Sequence, residues 1–173
     1  RGPLGRAWGG GHAGRMDMHG DDSFRGHRAL RRGRVSLPGQ VYHVTAGTLW
    51  RRPWFADFHV GCEAVRAFHH QVALADARLL AWVLMPDHGH WLLQMGECMP
   101  LERVVSRLKA ASGVRANRML ARAGPLWEPA FHDRALRRED DLFAVARYIV
   151  ANPLRAGLVE RIGDYPFWDS AFL

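Results

Sequence analysis

Residues 79–93 contain two apolar runs separated by a short turn at Pro86, and the second run opens with His88-Gly89-His90. Two short apolar runs around a Pro-containing turn predict a buried β-hairpin. Because side chains alternate along a strand, His88 and His90 lie on the same face. Imidazoles at the start of a buried strand cost free energy unless a partner satisfies them. The pair is therefore either a divalent-metal site or two histidines hydrogen-bonded to the backbone, and the spacing alone leaves both open.

The charge composition favours a nucleic-acid partner. Lys and Arg number 24 against 17 Asp and Glu, the net charge is +7 and the pI is about 10.6. Lys109 is the only lysine. Arg suits bidentate phosphate contacts and base stacking better than Lys does. A GC-rich genome would give the same bias, so this alternative stays open.

The cysteines and the apolar content exclude other classes of protein. Cys62 and Cys98 are isolated, which suggests neither a disulfide framework nor a zinc knuckle and makes a reducing, cytoplasmic setting the default expectation. No apolar stretch approaches membrane-spanning length and no signal-peptide pattern opens the chain. We therefore expect no membrane partner.

The chain divides into a polar arm and one domain. Residues 1–34 are rich in Gly, Arg and His, which predicts a disordered basic arm or sequence lying upstream of the natural start, at Met16 or Met18. Residues 35–173 have the length and apolar content of a single domain.

The apolar spacing of this domain predicts alternating strands and helices. Strands are expected at residues 41–45, 79–84, 88–95 and 131–136, and helices at residues 57–76, 100–122 and 139–151. This order is typical of an α+β fold, in which helices pack on an antiparallel sheet.

Two groups of basic and aromatic residues are candidates for DNA binding. The first lies in a predicted loop and comprises Trp50, Arg51, Arg52 and Trp54. Such interleaving can stack bases and hold phosphates, although a packed lid has the same composition. The second is a predicted stripe on one helix face, formed by Arg115, Arg118 and Arg122. Alternatively, the three arginines form a solvated helix face without a binding role.

The last predicted helix offers a tyrosine at the margin of the core. Its buried stripe comprises Leu142, Val145, Ala146 and Ile149. At 100° per residue, Tyr148 lies off that stripe and Asn152 lies beside it one turn later. A hydroxyl in this position can reach into a site.

Four segments together resemble a known family. They are Pro-Gly-Gln-Val-Tyr-His-Val-Thr at residues 38–45, Met-Pro-Asp-His-Gly-His at 85–90, Gly-Pro-Leu-Trp at 124–127, and Arg-Tyr-Ile-Val-Ala-Asn-Pro-Leu-Arg-Ala-Gly-Leu at 147–158. In this order they are similar to the REP-associated tyrosine transposases of the HUH nuclease superfamily. The resemblance spans residues 37–168.

The resemblance implies a ferredoxin-like fold and a metal-dependent reaction on single-stranded DNA next to palindromic hairpins. Tyr148 would attack the phosphodiester and remain joined to the 5′ phosphate, and His88 and His90 would hold Mg²⁺ or Mn²⁺. Asn152 would be the third metal ligand, or else the N-cap that precedes Pro153 in a new helix. The protein would act as a monomer or homodimer at the bacterial nucleoid.

The sequence also departs from the family pattern. Gly89 replaces a bulky hydrophobic residue, Asp87 replaces a frequent Asn, and Ala46-Gly47 stand where an Arg often follows the first strand. These changes remove no expected ligand. The main alternative is a domesticated relative that binds DNA hairpins without cutting them. A histidine-triad enzyme or a metallo-β-lactamase is disfavoured because Trp91 and Leu92 stand where further ligands are required.

Overall fold

The computed structural model describes residues 37–173, so the predicted arm at residues 1–34 lies outside the described residues. The strands are β1 (Val41–Gly47), β2 (Arg78–Met85), β3 (His88–Gln94), β4 (His132–Ala135) and β5 (Trp168–Ser170). The helices are α1 (Phe58–Arg66), α2 (Gln71–Leu74), α3 (Leu101–Met119), α4 (Leu142–Val150) and α5 (Asn152–Arg155). Within this part of the chain, no helix is long and apolar enough to cross a bilayer.

The five strands form one antiparallel sheet in the order β4-β1-β3-β2-β5. The first four strands and the intervening helices follow the β-α-β-β-α-β order of ferredoxin-like folds. The prediction of an α+β, ferredoxin-like sheet with packed helices is therefore confirmed. β5 was not expected, because three residues at the end of a chain carry too little alternation to identify a strand.

Large aromatic side chains fill the core on one face of the sheet. Trp91 of β3 is fully buried between Phe68 and Trp127, with ring centroids 5.4 and 5.6 Å away. Helices α1 and α3 pack on each other, and α4 packs separately against β2, β3 and β5. Val83 and Leu92, which share the face of His90 by register, are also fully buried. The histidine strand is therefore covered on both sides.

The predicted helix at residues 57–76 is interrupted. Its first segment, α1, ends at Arg66, and the amides of Ala67 and Phe68 bond back only three residues, which tightens the chain. Phe68 then turns into the core against Trp82. Burying this ring outweighs continuing the helix, a tertiary effect that periodicity does not reveal.

The predicted helix at residues 100–122 ends early, at Met119. Ala121 has a left-handed backbone with φ of 48°, and the amide of Arg122 bonds to the carbonyl oxygen of Asn117 at 3.0 Å. A left-handed residue followed by such a backward hydrogen bond commonly ends a helix. Arg122 therefore lies beyond the helix, and the prediction of a three-arginine helical stripe is wrong.

Helix α4 begins later than predicted, because Asp141 is its N-cap. The Asp141 carboxylate accepts from the amides of Phe143 and Ala144. The predicted stripe is confirmed: Ala146 and Ile149 are buried, and the partly buried Leu142 and Val145 pack against the core.

Candidate functional site

The two histidines of β3 lie side by side on one face of the sheet. His88 pairs with Gly47 of β1, and His90 pairs with Thr45. Their ring centroids are 4.9 Å apart, in an edge-to-face arrangement. The two-residue turn Pro86-Asp87 joins β2 to β3 immediately before this pair, so the hairpin sets the spacing of the rings.

A carboxylate fixes the orientation of the His88 ring. Nδ1 of His88 lies 2.6 Å from Oδ1 of Asp87, and Nε of Arg51 lies 3.0 Å from Oδ2 of the same residue. A carboxylate accepts, so it favours the tautomer with a proton on Nδ1 and leaves Nε2 unprotonated. The Arg51-Asp87-His88 chain also ties the neighbouring loop to the histidine turn.

The His90 ring is held from the side of β1. Its Nδ1 lies 3.0 Å from Oγ1 of Thr45 and 3.2 Å from Nε2 of His43. Burial, then the charges of His88, His43 and the nearby arginines, lowers the pKa of His90 to about 3. Burial and then Arg134 also lower the pKa of His43. Neutral imidazoles are the form that binds a metal.

Mg²⁺ and Mn²⁺ each require several nitrogen or oxygen ligands. Residues 37–173 contain no group of three His, Cys, Asp or Glu side chains that could hold a metal ion. His88 and His90 offer two oriented nitrogens, and any further ligand must be an amide, water or substrate oxygen. Imidazole nitrogens combined with such oxygens suit Mn²⁺ and are compatible with Mg²⁺. The residues present therefore fit a two-histidine site.

Tyr148 is exposed at the surface of α4, as its position off the buried stripe predicts. Its relative exposure is 56%. The Arg155 guanidinium lies 3.8 Å from the ring centroid and donates to the carbonyl oxygen of Tyr148 at 2.7 Å. The charge of Arg155 is also among those that act on His90. Arg155 thus contacts the tyrosine directly and acts on His90 through its charge alone.

Both polar groups of the Asn152 side chain bond to neighbouring residues. Its Nδ2 donates to the carbonyl oxygen of Ile149 at 2.7 Å, and its Oδ1 accepts from Arg155 at 2.7 Å. Asn152 is the first residue of α5, its N-cap is Ala151, and no side chain caps that helix. The alternative of Asn152 as an N-cap is therefore wrong. Its side chain instead satisfies a carbonyl at the end of α4.

The predicted DNA-binding loop forms a layered cluster with Arg122, which lies just beyond the end of α3. The Arg52 guanidinium lies 5.5 Å from the ring centroids of both Trp50 and Trp54, and Arg122 lies 5.0 Å from Trp54. We call Trp50, Arg52, Trp54 and Arg122 the Trp–Arg cluster. Trp50 is 72% exposed, so its face is accessible for stacking.

The backbone of this loop is held under strain. Trp50 and Arg51 have φ of 58° and 54°, left-handed values that cost about 1 kcal/mol or more each for residues other than glycine. The buried Thr48 hydroxyl donates to the carbonyl oxygen of Arg52 at 2.6 Å, and the Thr48 amide donates to the backbone carbonyl oxygen of Asp87 at 2.8 Å. Oε1 of Glu128 accepts from the Trp50 amide at 2.7 Å. These bonds fix the loop beside the histidine turn.

The other predicted DNA-binding arginines are not part of this cluster. Arg115 bonds to the carbonyl oxygen of Glu63 at 3.1 Å and pairs with its carboxylate at 2.8 Å, so it joins α3 to α1. Arg118 lies exposed near the end of α3. The structure thus brings Arg122 to the tryptophans and leaves Arg115 as an interhelical contact.

Two indole rings compensate for the glycine between the histidines. A Cβ at Gly89 would lie 3.2 Å from Cζ2 of Trp91 and 3.5 Å from Cη2 of Trp127. The Trp127 indole is itself fixed by a bond from its Nε1 to Ser112 at 3.0 Å. The space that a bulky residue would occupy is therefore filled, and Gly89 is buried rather than loose.

A sequence profile described as "Transposase IS200 like" matches residues 37–152, more than half of the chain. The chain belongs to the IS200-like transposase family. This match covers β1 to the first residue of α5 and includes His88, His90, Tyr148 and Asn152.

Individual relatives agree with this assignment. A REP-associated tyrosine transposase of Escherichia coli (strain K12) is 28% identical over 92 residues, which are 50% of each chain. A putative REP-associated tyrosine transposase of Haemophilus influenzae (strain ATCC 51907 / DSM 11121 / KW20 / Rd) is 29% identical over 98 residues, 51% of this chain and 56% of that protein. This IS200-like chain therefore matches about half the length of these relatives.

The fold also matches a solved structure of a REP-associated tyrosine transposase bound to a REP hairpin. The TM-score is 0.60 at 20% identity, and the match covers 78% of this chain and 79% of that one. At this identity the likeness supports the fold. Together, these matches confirm the resemblance predicted from the four sequence segments.

Sequence analysis missed several residues that complete the site. Thr45 and His43 hold His90, Asp87 orients His88, and Arg155 contacts Tyr148. All four residues lie within the segments that resemble the family, but the sequence pattern did not indicate these contacts. The alternation of β1 could have indicated that His43 and Thr45 share one face.

Proposed function

We propose that this protein is a metal-dependent, sequence-specific single-stranded DNA endonuclease and strand transferase. It acts at palindromic REP-type hairpins through a 5′-phosphotyrosine intermediate. The observation that carries the proposal is the pair of oriented imidazoles on β3, together with the exposed Tyr148 that lies under the Arg155 guanidinium. A stable core alone requires neither feature.

The chemistry assigned to Tyr148 is a transesterification. Its phenolic oxygen forms a bond to phosphorus, the bond from phosphorus to the 3′ oxygen breaks, and the phenolic proton is balanced by the proton gained at the 3′ hydroxyl. The phosphodiester energy is kept in the phosphotyrosine, so a second 3′ hydroxyl can reverse the step and join strands. Exposure of Tyr148 suits attack on a macromolecular substrate.

The role assigned to His88 and His90 is to hold a divalent ion through Nε2. When bound, such an ion polarises a phosphate oxygen and offsets charge in the transition state. Asp87 keeps the His88 ring in the ligating tautomer, and Thr45 with His43 holds the His90 ring through Nδ1, which leaves its Nε2 outside these contacts. The low pKa of His90, about 3, keeps that ring neutral at physiological pH.

The Trp–Arg cluster is proposed to bind the single strand that flanks the hairpin. An exposed indole stacks on any base, and the arginines between the rings neutralise phosphates. Thr48 anchors this loop to Asp87, so a stacked base would lie close to the histidine turn. The hairpin itself is proposed as substrate because a solved relative is bound to a REP hairpin.

The test uses hairpin-bearing single-stranded oligonucleotides, labelled at either end, incubated with the full chain and Mn²⁺. We expect a denaturation-resistant adduct with the 5′-phosphate fragment and a released fragment that ends in a 3′ hydroxyl. Peptide mapping should locate the linkage on Tyr148. Tight hairpin binding without any adduct would instead support the domesticated, non-cutting relative, and a linkage on Tyr42 or Tyr165 would refute the assignment of the nucleophile.

A further inference from the structure

Arg155 makes three contacts within the candidate site. Its guanidinium lies over the ring of Tyr148 at 3.8 Å, donates through Nη1 to the carbonyl oxygen of Tyr148 at 2.7 Å, and donates through Nη2 to Oδ1 of Asn152 at 2.7 Å. Arg155 thus contacts both Tyr148, the proposed nucleophile, and Asn152, the candidate for the third metal ligand.

These contacts oppose metal binding by Asn152. A carboxamide oxygen has two lone pairs, but a guanidinium on one of them repels a divalent cation on the other. The Nδ2 group is committed to the carbonyl oxygen of Ile149 at 2.7 Å, which fixes the amide orientation. Asn152 can therefore offer Oδ1 to a metal only when Arg155 moves away.

A DNA phosphodiester is a stronger hydrogen-bond partner for Arg155 than the neutral amide of Asn152. The planar guanidinium donates two parallel hydrogen bonds to an anionic phosphate, and such charge-assisted pairs are stronger than a bond to a neutral amide. Arg155 is exposed, so exchanging its partner requires no change in the core. Its charge already acts on His90, on the metal side of the site.

We propose that Arg155 exchanges its hydrogen bonds between Asn152 and the DNA phosphodiester, so that substrate binding releases the third metal ligand and frees the ring face of the exposed Tyr148. This inference rests on the proposed function and adds regulation to it. Metal affinity is low before DNA arrives and rises once the phosphate has taken over Arg155.

The test measures Mn²⁺ affinity by calorimetry in the full chain, with and without a 12-nucleotide oligothymidylate as the phosphodiester probe. Without the oligonucleotide, R155A should bind Mn²⁺ about tenfold more tightly than the wild type, because Oδ1 of Asn152 is released. Adding the oligonucleotide should tighten binding more in the wild type than in R155A, because a phosphate oxygen can ligate the ion in both chains but only the wild type also gains Oδ1 of Asn152. R155K keeps the charge but not the planar fork, so its affinity should fall between the two.

Two further variants separate charge from ligand release. R161A removes an exposed arginine that pairs with Asp164, and should leave Mn²⁺ affinity as in the wild type. In an N152A background, R155A should bring no gain, because no oxygen remains to be released. A gain that persists in N152A, or that R161A reproduces, would overturn the exchange and leave a general charge effect.

The outcomes also separate this inference from the proposed function. If the wild type binds Mn²⁺ through His88 and His90 and cleaves DNA, yet R155A binds Mn²⁺ no more tightly, the exchange fails and the function stands. If neither chain binds Mn²⁺, the metal-dependent function fails, and the exchange fails with it. Thermal unfolding of each variant checks that the exposed substitutions leave the chain folded.

Discussion

The histidines of β3 are fixed by several neighbours, whereas the tyrosine of α4 is contacted by one exposed side chain. Asp87, Thr45 and His43 hold the two imidazoles. Tyr148 is 56% exposed and lies under Arg155. A metal site gains from ligands that are oriented in advance, while a nucleophile that receives DNA must stay accessible. Substitutions around the β3 histidines should therefore change stability and metal binding, and substitution of the exposed Tyr148 should change chemistry alone.

The largest expected effect is that of Tyr148→Phe. Adduct formation should fall by about 10⁴-fold or more, since removing a nucleophile leaves only background reaction. The free energy of unfolding should change by less than about 0.5 kcal/mol, because the lost hydroxyl is at the surface. Gel assays of the adduct and urea unfolding measure the two quantities. A folded Tyr148→Phe chain that still forms the adduct would show that Tyr148 only covers the core.

On the β3 side, Asp87→Ala should lower Mn²⁺ affinity by about 10- to 100-fold, the usual cost of losing a carboxylate behind a ligating histidine. Asp87→Asn restores the residue that the family often has, and its amide oxygen can still accept from Nδ1 of His88, so most of the affinity should remain. Calorimetry with Mn²⁺ measures both, and Asp164→Ala is the control for removing a carboxylate. Equal losses in the Ala and Asn variants would mean that the charge, rather than the orientation, matters.

The sequence predicts the half of the site that depends on local periodicity. Strand alternation places His88 and His90 on one face, and the helical repeat places Tyr148 off the buried stripe; both positions agree with the structure. The α+β, ferredoxin-like sheet also follows from the order of elements once the family resemblance is seen. These features depend on a few neighbouring residues, which is why one chain suffices to predict them.

The contacts that complete the site depend on tertiary packing and were not predictable. Arg122 reaches Trp54 only because α3 ends at Met119, and Arg115 is taken up by Glu63 of α1. Arg155 contacts Tyr148 because the short helix α5 follows α4 after a single residue, Ala151. No periodic pattern encodes such partners, since each joins segments whose relative position is set by the whole core.

The packing behind β3 can be tested at Gly89. A Cβ there would lie 3.2 Å from the fully buried Trp91, so Gly89→Val should destabilise the fold by about 1–3 kcal/mol through overpacking. Urea unfolding gives the value. Gly163→Val is the matched control, because a Cβ at Gly163 meets nothing within 4 Å. A neutral Gly89→Val would mean that the indoles have room to shift, and that β3 is less firmly packed than its contacts indicate.

The smallest expected effect is that of Tyr165→Phe, on the β2 side of the hairpin. The buried Tyr165 hydroxyl donates to the carbonyl oxygen of Leu84 at 2.7 Å, and its loss should cost about 1 kcal/mol at neutral pH.

Burial raises the pKa of Tyr165 to about 12, above the value near 10 expected in the unfolded chain. Its stabilising contribution is therefore complete below pH 10 and declines as the pH rises from 10 towards 12, because the unfolded chain loses the proton first. Urea unfolding across pH 7–11 should show the gap between the wild type and Tyr165→Phe narrowing above pH 10. The folded variant should still form the adduct on Tyr148, since Tyr165 contributes only to stability. Loss of the adduct in a folded Tyr165→Phe chain would move the nucleophile to the β2 side and break the division between the two halves of the site.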